Sequence, residues 1–369
     1  MSGGIRVVVM HAKELISRGH SVFIVARPPH PIPLIDKVKA LIRGQGWRTL
    51  PRQRLSHFDD SGLDYKILNK FRPVTDDDIP DADIVIATWW LTAEWVGALS
   101  TRKGAKVYFI QHHELFPYVP AERCKATYRM PLHKIVVSNW LKDLMSSDYG
   151  DDAVDLVPNS VDRSQFHSEP RGKQRMPTVG LLYSRASFKG VDLSLKALAR
   201  LRARFTDLRI LCFGSERPSP VLPLEDDVEF FQLPSQEKIR DIYSACDVWV
   251  TASHSEGFNL PAMEAMACRT PVVATRTGWP EMAIKSGWNG VLVDVNDLDG
   301  LTRGIASVLT QSEQEWRNMS GNAYATVADS SWERSAEMFE QALHRARQRA
   351  LRGEIAGGQH LADASSSSC

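Results

Sequence analysis

The sequence predicts an α/β protein of two tandem units, each a parallel sheet covered by helices. Two observations predict it. Short apolar runs alternate with longer amphipathic segments, the pattern of buried parallel strands and their crossover helices. The alternation then restarts after a polar, proline-flanked stretch at 166–177 (FHSEPRGKQRMP), the best linker candidate. A chain of 369 residues has room for about two domains of ordinary size, each with its own core.

Taken in order, Ile5, Val8, Val9, Ala12, Leu15 and Ile16 have helical spacing, and Gly19 ends that helix. The run SVFIVA at 21–26 reads as a buried strand, and further strands are expected at 84–87, 107–110, 134–137 and 154–157. In the second unit the strands fall at 178–183, 209–213, 228–231, 248–251, 271–274 and 290–293. Helices are expected there at 192–205, 238–245, 261–267 and 298–309, with a long terminal helix at 332–351. The domains expected are therefore 1–165 and 166–335, followed by a helical segment at 336–352 and a disordered, serine-ending tail at 353–369. A doubly wound unit normally starts with a strand running into its first glycine turn. Here the turn comes at Gly3 and Gly4, so the first strand is expected to be missing, through truncation or a misplaced start.

A net charge of +1 gives the whole chain no strong pull towards nucleic acid. Locally the balance differs. Arg27, Lys37, Lys39, Arg43, Arg48, Arg52 and Arg54 face a single acid, Asp36. The stretch from Lys37 to Arg54, with Val38, Ala40, Leu41 and Ile42 interleaved, could lie on anionic lipid as a peripheral contact or be a solvated face. The five cysteines are scattered and lack a C-x-x-C pair, which argues for a reducing, cytoplasmic setting and against a zinc site. The acidic run Asp76-Asp77-Asp78 precedes Ile79-Pro80 and reads as a turn or cap, not a metal site. Trp89 and Trp90 could be a platform for a ligand or part of the core.

The chemistry concentrates in SEGFNLPAMEAMAC at 255–268. A strand leads into a loop with Glu256 and Gly257. Pro261 suits the first turn of a helix, and Asn259 could cap it. The N–H groups of Gly257, Phe258, Asn259 and Leu260 would then favour a phosphate. Glu264, one turn further, could hold the two hydroxyls of a ribose. A second element, YSRASFKG at 183–190, follows the first strand of the second unit. Its Arg185 and Lys189 could neutralise a departing diphosphate without a metal.

Together these residues resemble the retaining family 4 glycosyltransferases, which have the GT-B fold. The resemblance covers nearly the whole chain: Gly3-Gly4, Ser138-Asn139-Trp140 opening a helix, PNSVD at 158–162, Arg185 with Lys189-Gly190, and Glu256 with Glu264 at E-x7-E spacing ahead of TPVV at 270–273. The run YFIQHHE at 108–114 resembles a subgroup that includes rhamnosyltransferases of bacterial surface polysaccharides. The resemblance implies two Rossmann-like domains facing across a cleft. It implies that Arg185 and Lys189 hold the donor diphosphate, Glu264 the ribose, and Glu256 with the 257–260 backbone the donor sugar. Gly4 would let the first loop approach the phosphate and acceptor. Transfer of a hexose or deoxyhexose from a nucleotide-diphosphate sugar to a glycan or lipid-linked acceptor would retain the anomeric configuration, with no cofactor and no metal. Three features depart from the pattern. Gln111 stands where the family often has a histidine, followed by His112 (a candidate catalytic group) and His113. Arg269 replaces a usual glycine. The first strand is absent.

Two other readings remain. A catalytically inactive nucleotide- or glycan-binding remnant would fit the missing strand and Gln111. A nicotinamide-dependent oxidoreductase would need G-x-G-x-x-G after a strand, and neither half has it.

Overall fold

The computed structural model describes residues 3–28, 34–42, 58 and 61–357. Its first half runs α1 (Gly3–Ser17), β1 (Ile24–Ala26), α2 (Leu34–Ile42), β2 (Tyr65–Ile67), β3 (Ile84–Ala87), α3 (Trp90–Ala98), β4 (Ala105–Ile110), α4 (Ala121–Thr127), β5 (His133–Val136), α5 (Asn139–Tyr149) and β6 (Asp155–Leu156). The second half runs β7 (Thr178–Tyr183), α6 (Val191–Arg202), β8 (Arg209–Gly214), β9 (Val228–Gln232), α7 (Gln236–Ser244), β10 (Val248–Thr251), α8 (Leu260–Ala267), β11 (Val272–Thr275), α9 (Trp279–Ala283), β12 (Gly290–Val293), α10 (Leu298–Leu309), α11 (Glu313–Val327) and α12 (Trp332–Leu351).

The sheets are parallel. A two-stranded ladder, β1-β2, and a four-stranded sheet of order β3-β4-β5-β6 belong to the first half. The second half holds a six-stranded sheet of order β12-β11-β10-β7-β8-β9. Both halves are thus Rossmann-like α/β folds. By internal contacts the chain divides into one unit of 1–109, 114–134 and 339–369 and another of 110–113 and 135–338. The last turns of α12 therefore belong with the N-terminal unit.

Strand 21–26 is expected from its apolar run, yet only Ile24–Ala26 pairs. Its neighbour β2 is three residues long, so the ladder has little to pair with. The segment 166–177 is not a free linker. Phe166 is fully buried, the Gln174 N–H donates to Asp247 at 2.7 Å, and Arg171 donates to Thr270 Oγ1 at 2.8 Å while lying over the Trp316 ring. Part of the polar composition here serves hydrogen bonds within the second unit, while His167, Glu169 and Arg175 are exposed. At the other end Ile355 is buried and the Ala356 N–H donates to the Pro131 carbonyl at 3.1 Å, so the first residues beyond α12 pack; 358–369 lie outside the described residues.

The acidic run is a cap. Asp78 accepts the Thr75 N–H at 2.9 Å and a two-pronged bond from Arg72, which hold its carboxyl well below the usual range. Among the described residues no cluster could hold a metal ion, and no helix is long and apolar enough to cross a membrane. Cys124, Cys212, Cys246 and Cys268 are buried and unbridged, as small core residues are.

Candidate functional site

The strand order of the large sheet fixes where a ligand can sit. From β7 the chain proceeds outward through β8 and β9, then returns to the other side of β7 to add β10, β11 and β12. The order reverses between β7 and β10, and the loops leaving their carboxyl ends diverge and leave a crevice. Those two loops carry YSRASFKG and the start of SEGFNLP.

The structure brings Lys189 and Glu256 together. Lys189 Nζ lies 2.7 and 2.9 Å from the two carboxylate oxygens of Glu256, and Ser253 Oγ donates to Oε1 at 2.7 Å. Glu256 is 5% exposed, so this carboxylate depends on its cation and hydroxyl for the solvation it has lost. Local sequence enforces the approach. Gly190 has φ +58° and sits so close to β10's exit that a Cβ would fall 1.9 Å from the Ala252 carbonyl oxygen. The His254 N–H then donates to the Phe188 carbonyl at 2.7 Å and ties the loops. A small cavity between them is lined by Lys189, Ser253, Glu256, Asn259 and Pro261.

His112 joins this pair. Its ring is tilted against Phe188 at 5.5 Å and edge-on to Trp140 at 6.4 Å, and its Nδ1 is 2.8 Å from the His113 carbonyl. Burial lowers its pKa and the Lys189 charge adds to that, while Glu256 works against it. The net lowering leaves the imidazole neutral at neutral pH. Gly257 is required here too: a Cβ would meet the Gln111 carbonyl oxygen at 1.7 Å. The segment 110–113 and the Glu256 loop thus touch backbone to backbone.

Helix α8 starts at Leu260 with Pro261 in its first turn. Asn259 is the cap residue, but its side chain does not cap. The backbone is left-handed, φ 79° and ψ 63°, and Nδ2 donates to Thr251 Oγ1 at 3.0 Å. Asparagine tolerates that conformation better than most residues. No backbone hydrogen bond leaves the N–H groups of Gly257, Phe258, Asn259 or Leu260 among the described residues. Phe258 itself is buried, stacked on Trp279 at 6.1 Å.

Two expected positions fall differently. The Arg185 guanidinium turns to the Arg217 carbonyl, at 2.7 and 3.2 Å, and not to the Lys189–Glu256 pair. Its backbone N–H faces Glu216 at 3.4 Å, so the loop after β8 is what positions it. Gly4 lies inside α1, not in a loop before it, because the helix begins at Gly3. Glu264 is buried and accepts the Tyr243 hydroxyl at 2.9 Å; that ring packs edge-on against Trp249 at 4.6 Å. Ser253 and Tyr243 are the groups that sequence reasoning overlooks. Ser253 stands three residues before Glu256, a spacing that could have been read. Tyr243 is 21 residues from Glu264, and no local signal links them.

Both halves are Rossmann-like, and the crevice lies at the carboxyl ends of β7 and β10 in the second. Residues 1–165 match the model "Glycosyltransferase Family 4" and 164–326 match "Glycosyl transferases group 1". Among curated relatives, a D-inositol 3-phosphate glycosyltransferase of Segniliparus rotundus is 29% identical over 203 residues, 50% of this chain and 45% of that protein. One from Corynebacterium urealyticum is 32% identical over 175 residues, 44% of this chain and 41% of that protein. The chain thus spans less than half the length of each. In fold it is similar to sucrose-phosphate synthase of Thermosynechococcus elongatus (TM-score 0.67, 19% identity, 93% of each chain). It is also similar to Anabaena HepE solved with UDP-glucose (TM-score 0.69, 16% identity, 94% of this chain and 96% of that one).

Proposed function

We propose that this chain moves a hexose or deoxyhexose from a nucleotide-diphosphate sugar to a glycan or lipid-linked acceptor, with retention and without a metal, in surface polysaccharide synthesis. The observation that carries the reading is the Lys189–Glu256–Ser253 cluster at the strand-order reversal. Lys189 would exchange Glu256 for the donor diphosphate and stabilise it as it leaves. Glu256, released, would accept a hydroxyl of the donor sugar. The amino end of α8 would face the phosphates and Glu264 the ribose. Arg185 would join the diphosphate by turning from the Arg217 carbonyl. Neutral His112 would donate to or accept from the sugar beside the reacting carbon.

The test is turnover of a panel of nucleotide sugars by the full chain, with the anomeric product read by NMR. Transfer with the anomeric configuration kept supports the reading; inversion removes the retention. Binding without transfer or hydrolysis would favour the inactive remnant. The relatives' names make D-inositol 3-phosphate one acceptor to include in the panel.

We also infer a peripheral contact with anionic lipid through α2. Leu34, Ile35, Val38, Leu41 and Ile42 are all exposed on this nine-residue helix, beside Lys37. The sequence adds Arg43, Arg48, Arg52 and Arg54, whose structure lies outside the described residues. Apolar side chains entering the headgroup boundary next to cations suit an anionic surface. Such a contact would place the protein on the cytoplasmic face of a membrane.

A further inference from the structure

The N-terminal unit carries an aromatic column that the donor chemistry does not use. Trp89 caps α3 directly after β3. Its ring lies parallel to Phe116, with centroids 6.0 Å apart and planes 12° apart. Phe116 in turn stacks on Tyr118 at 5.4 Å and 6°. Tyr118 ends the column and is 75% exposed.

A single exposed aromatic ring is ordinary. Three rings held parallel are not a chance arrangement of mobile side chains, and the backbone shows how they are held. Phe116 and Tyr118 flank Pro117, Pro120 follows, and the Val119 N–H closes a turn on the Phe116 carbonyl at 3.0 Å. Prolines fix φ and stiffen the turn's backbone, and the stacking of the two rings on each other sets their planes. Ordering them is then a cost of folding and not of binding. The position is also informative. β3 and β4 are parallel neighbours, with Ala87 opposite Tyr108, so Trp89 and the Phe116–Tyr118 turn both follow carboxyl ends of adjacent strands. That is the side of a parallel sheet on which ligands bind.

We propose that the Trp89–Phe116–Tyr118 column is a carbohydrate platform, on which a pyranose ring of the acceptor lays its apolar C–H face. An aromatic face is electron-rich, and the C–H groups on one side of a pyranose are weakly positive; the two are flat and of similar width. The hydroxyls, which project around the ring, stay in water. The proposal deepens the glycosyltransferase reading by naming the acceptor's grip, and it rests on that reading for the word acceptor alone.

The test is saturation-transfer NMR on the full chain with the methyl pyranosides of glucose, galactose, mannose and rhamnose, with UDP-glucose, GDP-mannose and dTDP-rhamnose measured in separate samples. Wild type should saturate the ring C–H protons of at least one methyl pyranoside. Tyr118→Phe, which keeps the ring, should preserve the signal, and Tyr118→Ala should weaken that glycoside's binding about tenfold. Donor signals should be unchanged in both variants. Equal glycoside signals in wild type and Tyr118→Ala, or none in wild type, would overturn the platform, as would a nucleotide donor losing its signal with Tyr118→Ala. Absence of every donor signal in wild type, with the glycoside result intact, would instead count against the donor site. Tyr118 is exposed, so its substitution leaves the core untouched, and Trp89→Ala gives an independent second variant at the other end of the column.

Discussion

Lys189 and Glu256 hold each other in a place where neither is well solvated, and this fixes what their substitutions should do. Lys189→Ala should lower turnover by about a hundredfold or more, the usual cost of losing a preorganised charge at a developing anion. It should also lower the melting temperature, because the buried Glu256 loses its cation. Full turnover in that variant would remove Lys189 from the mechanism. Gly257→Ala forces a methyl group to within 1.7 Å of the Gln111 carbonyl oxygen, a backbone atom that cannot rotate away. A loss of about 1–3 kcal/mol is expected, read in denaturant melts; an unchanged midpoint would mean that 110–113 is not pinned to the Glu256 loop.

Glu114 gives a pH dependence. It is buried, and burial raises its pKa to about 8 although the Trp90 N–H at 2.6 Å and the Tyr108 hydroxyl at 3.0 Å pull the other way. Unfolded, the carboxyl titrates in the ordinary range near 4.3. Between those two values the folded chain binds more protons, so Glu114 lowers stability steadily as pH rises from about 4.3 to about 8, and no further above it. Glu114→Gln keeps two acceptor sites and removes the slope. Melting temperatures measured across that window should fall less steeply in the variant, and parallel curves would contradict this.

At the scale of elements, α2 separates the lipid reading from a merely solvated face. Leu41→Asp with Ile42→Asp puts charge on its exposed apolar side without touching the core. The wild-type chain should float with anionic liposomes at low salt and less at high salt, and the double variant should stay behind. Equal flotation of both proteins would end the proposal.

Elements were legible where periodicity was strong. The strands at 84–87, 178–183, 248–251 and 290–293 and the helices at 298–309 and 332–351 stand where their apolar patterns put them. Others escaped for physical reasons. Helix α3 (WLTAEWVGA) is apolar on nearly every side, so it has no polar face to mark a helical period. Helix α11 has a capping box, with the Glu315 N–H 3.3 Å from Ser312 Oγ, but little apolar contrast behind it.

Over the whole molecule, the two-unit α/β architecture follows from alternation alone, because a parallel strand must be buried on both faces and can only return through a crossover. What was legible of the site is residue types and their loops: Lys189 pairs with Glu256, and both line one small cavity with Pro261. What the sequence withheld were directions. Arg185 turns to the Arg217 carbonyl, Glu264 to Tyr243 and Asn259 to Thr251, each choice made by a partner distant in sequence or by a left-handed backbone. Side-chain direction is a tertiary property, and spacing does not encode it.

The proposal that the crevice between β7 and β10 takes a nucleotide sugar is tested most directly by isothermal titration of the full chain with UDP-glucose, GDP-mannose and dTDP-rhamnose, in wild type, Glu256→Ala and Glu264→Ala. At least one nucleotide sugar should bind wild type, and each variant should bind it at least about tenfold more weakly, the cost of one charge-assisted hydrogen bond. Binding of equal strength in all three proteins would contradict the site.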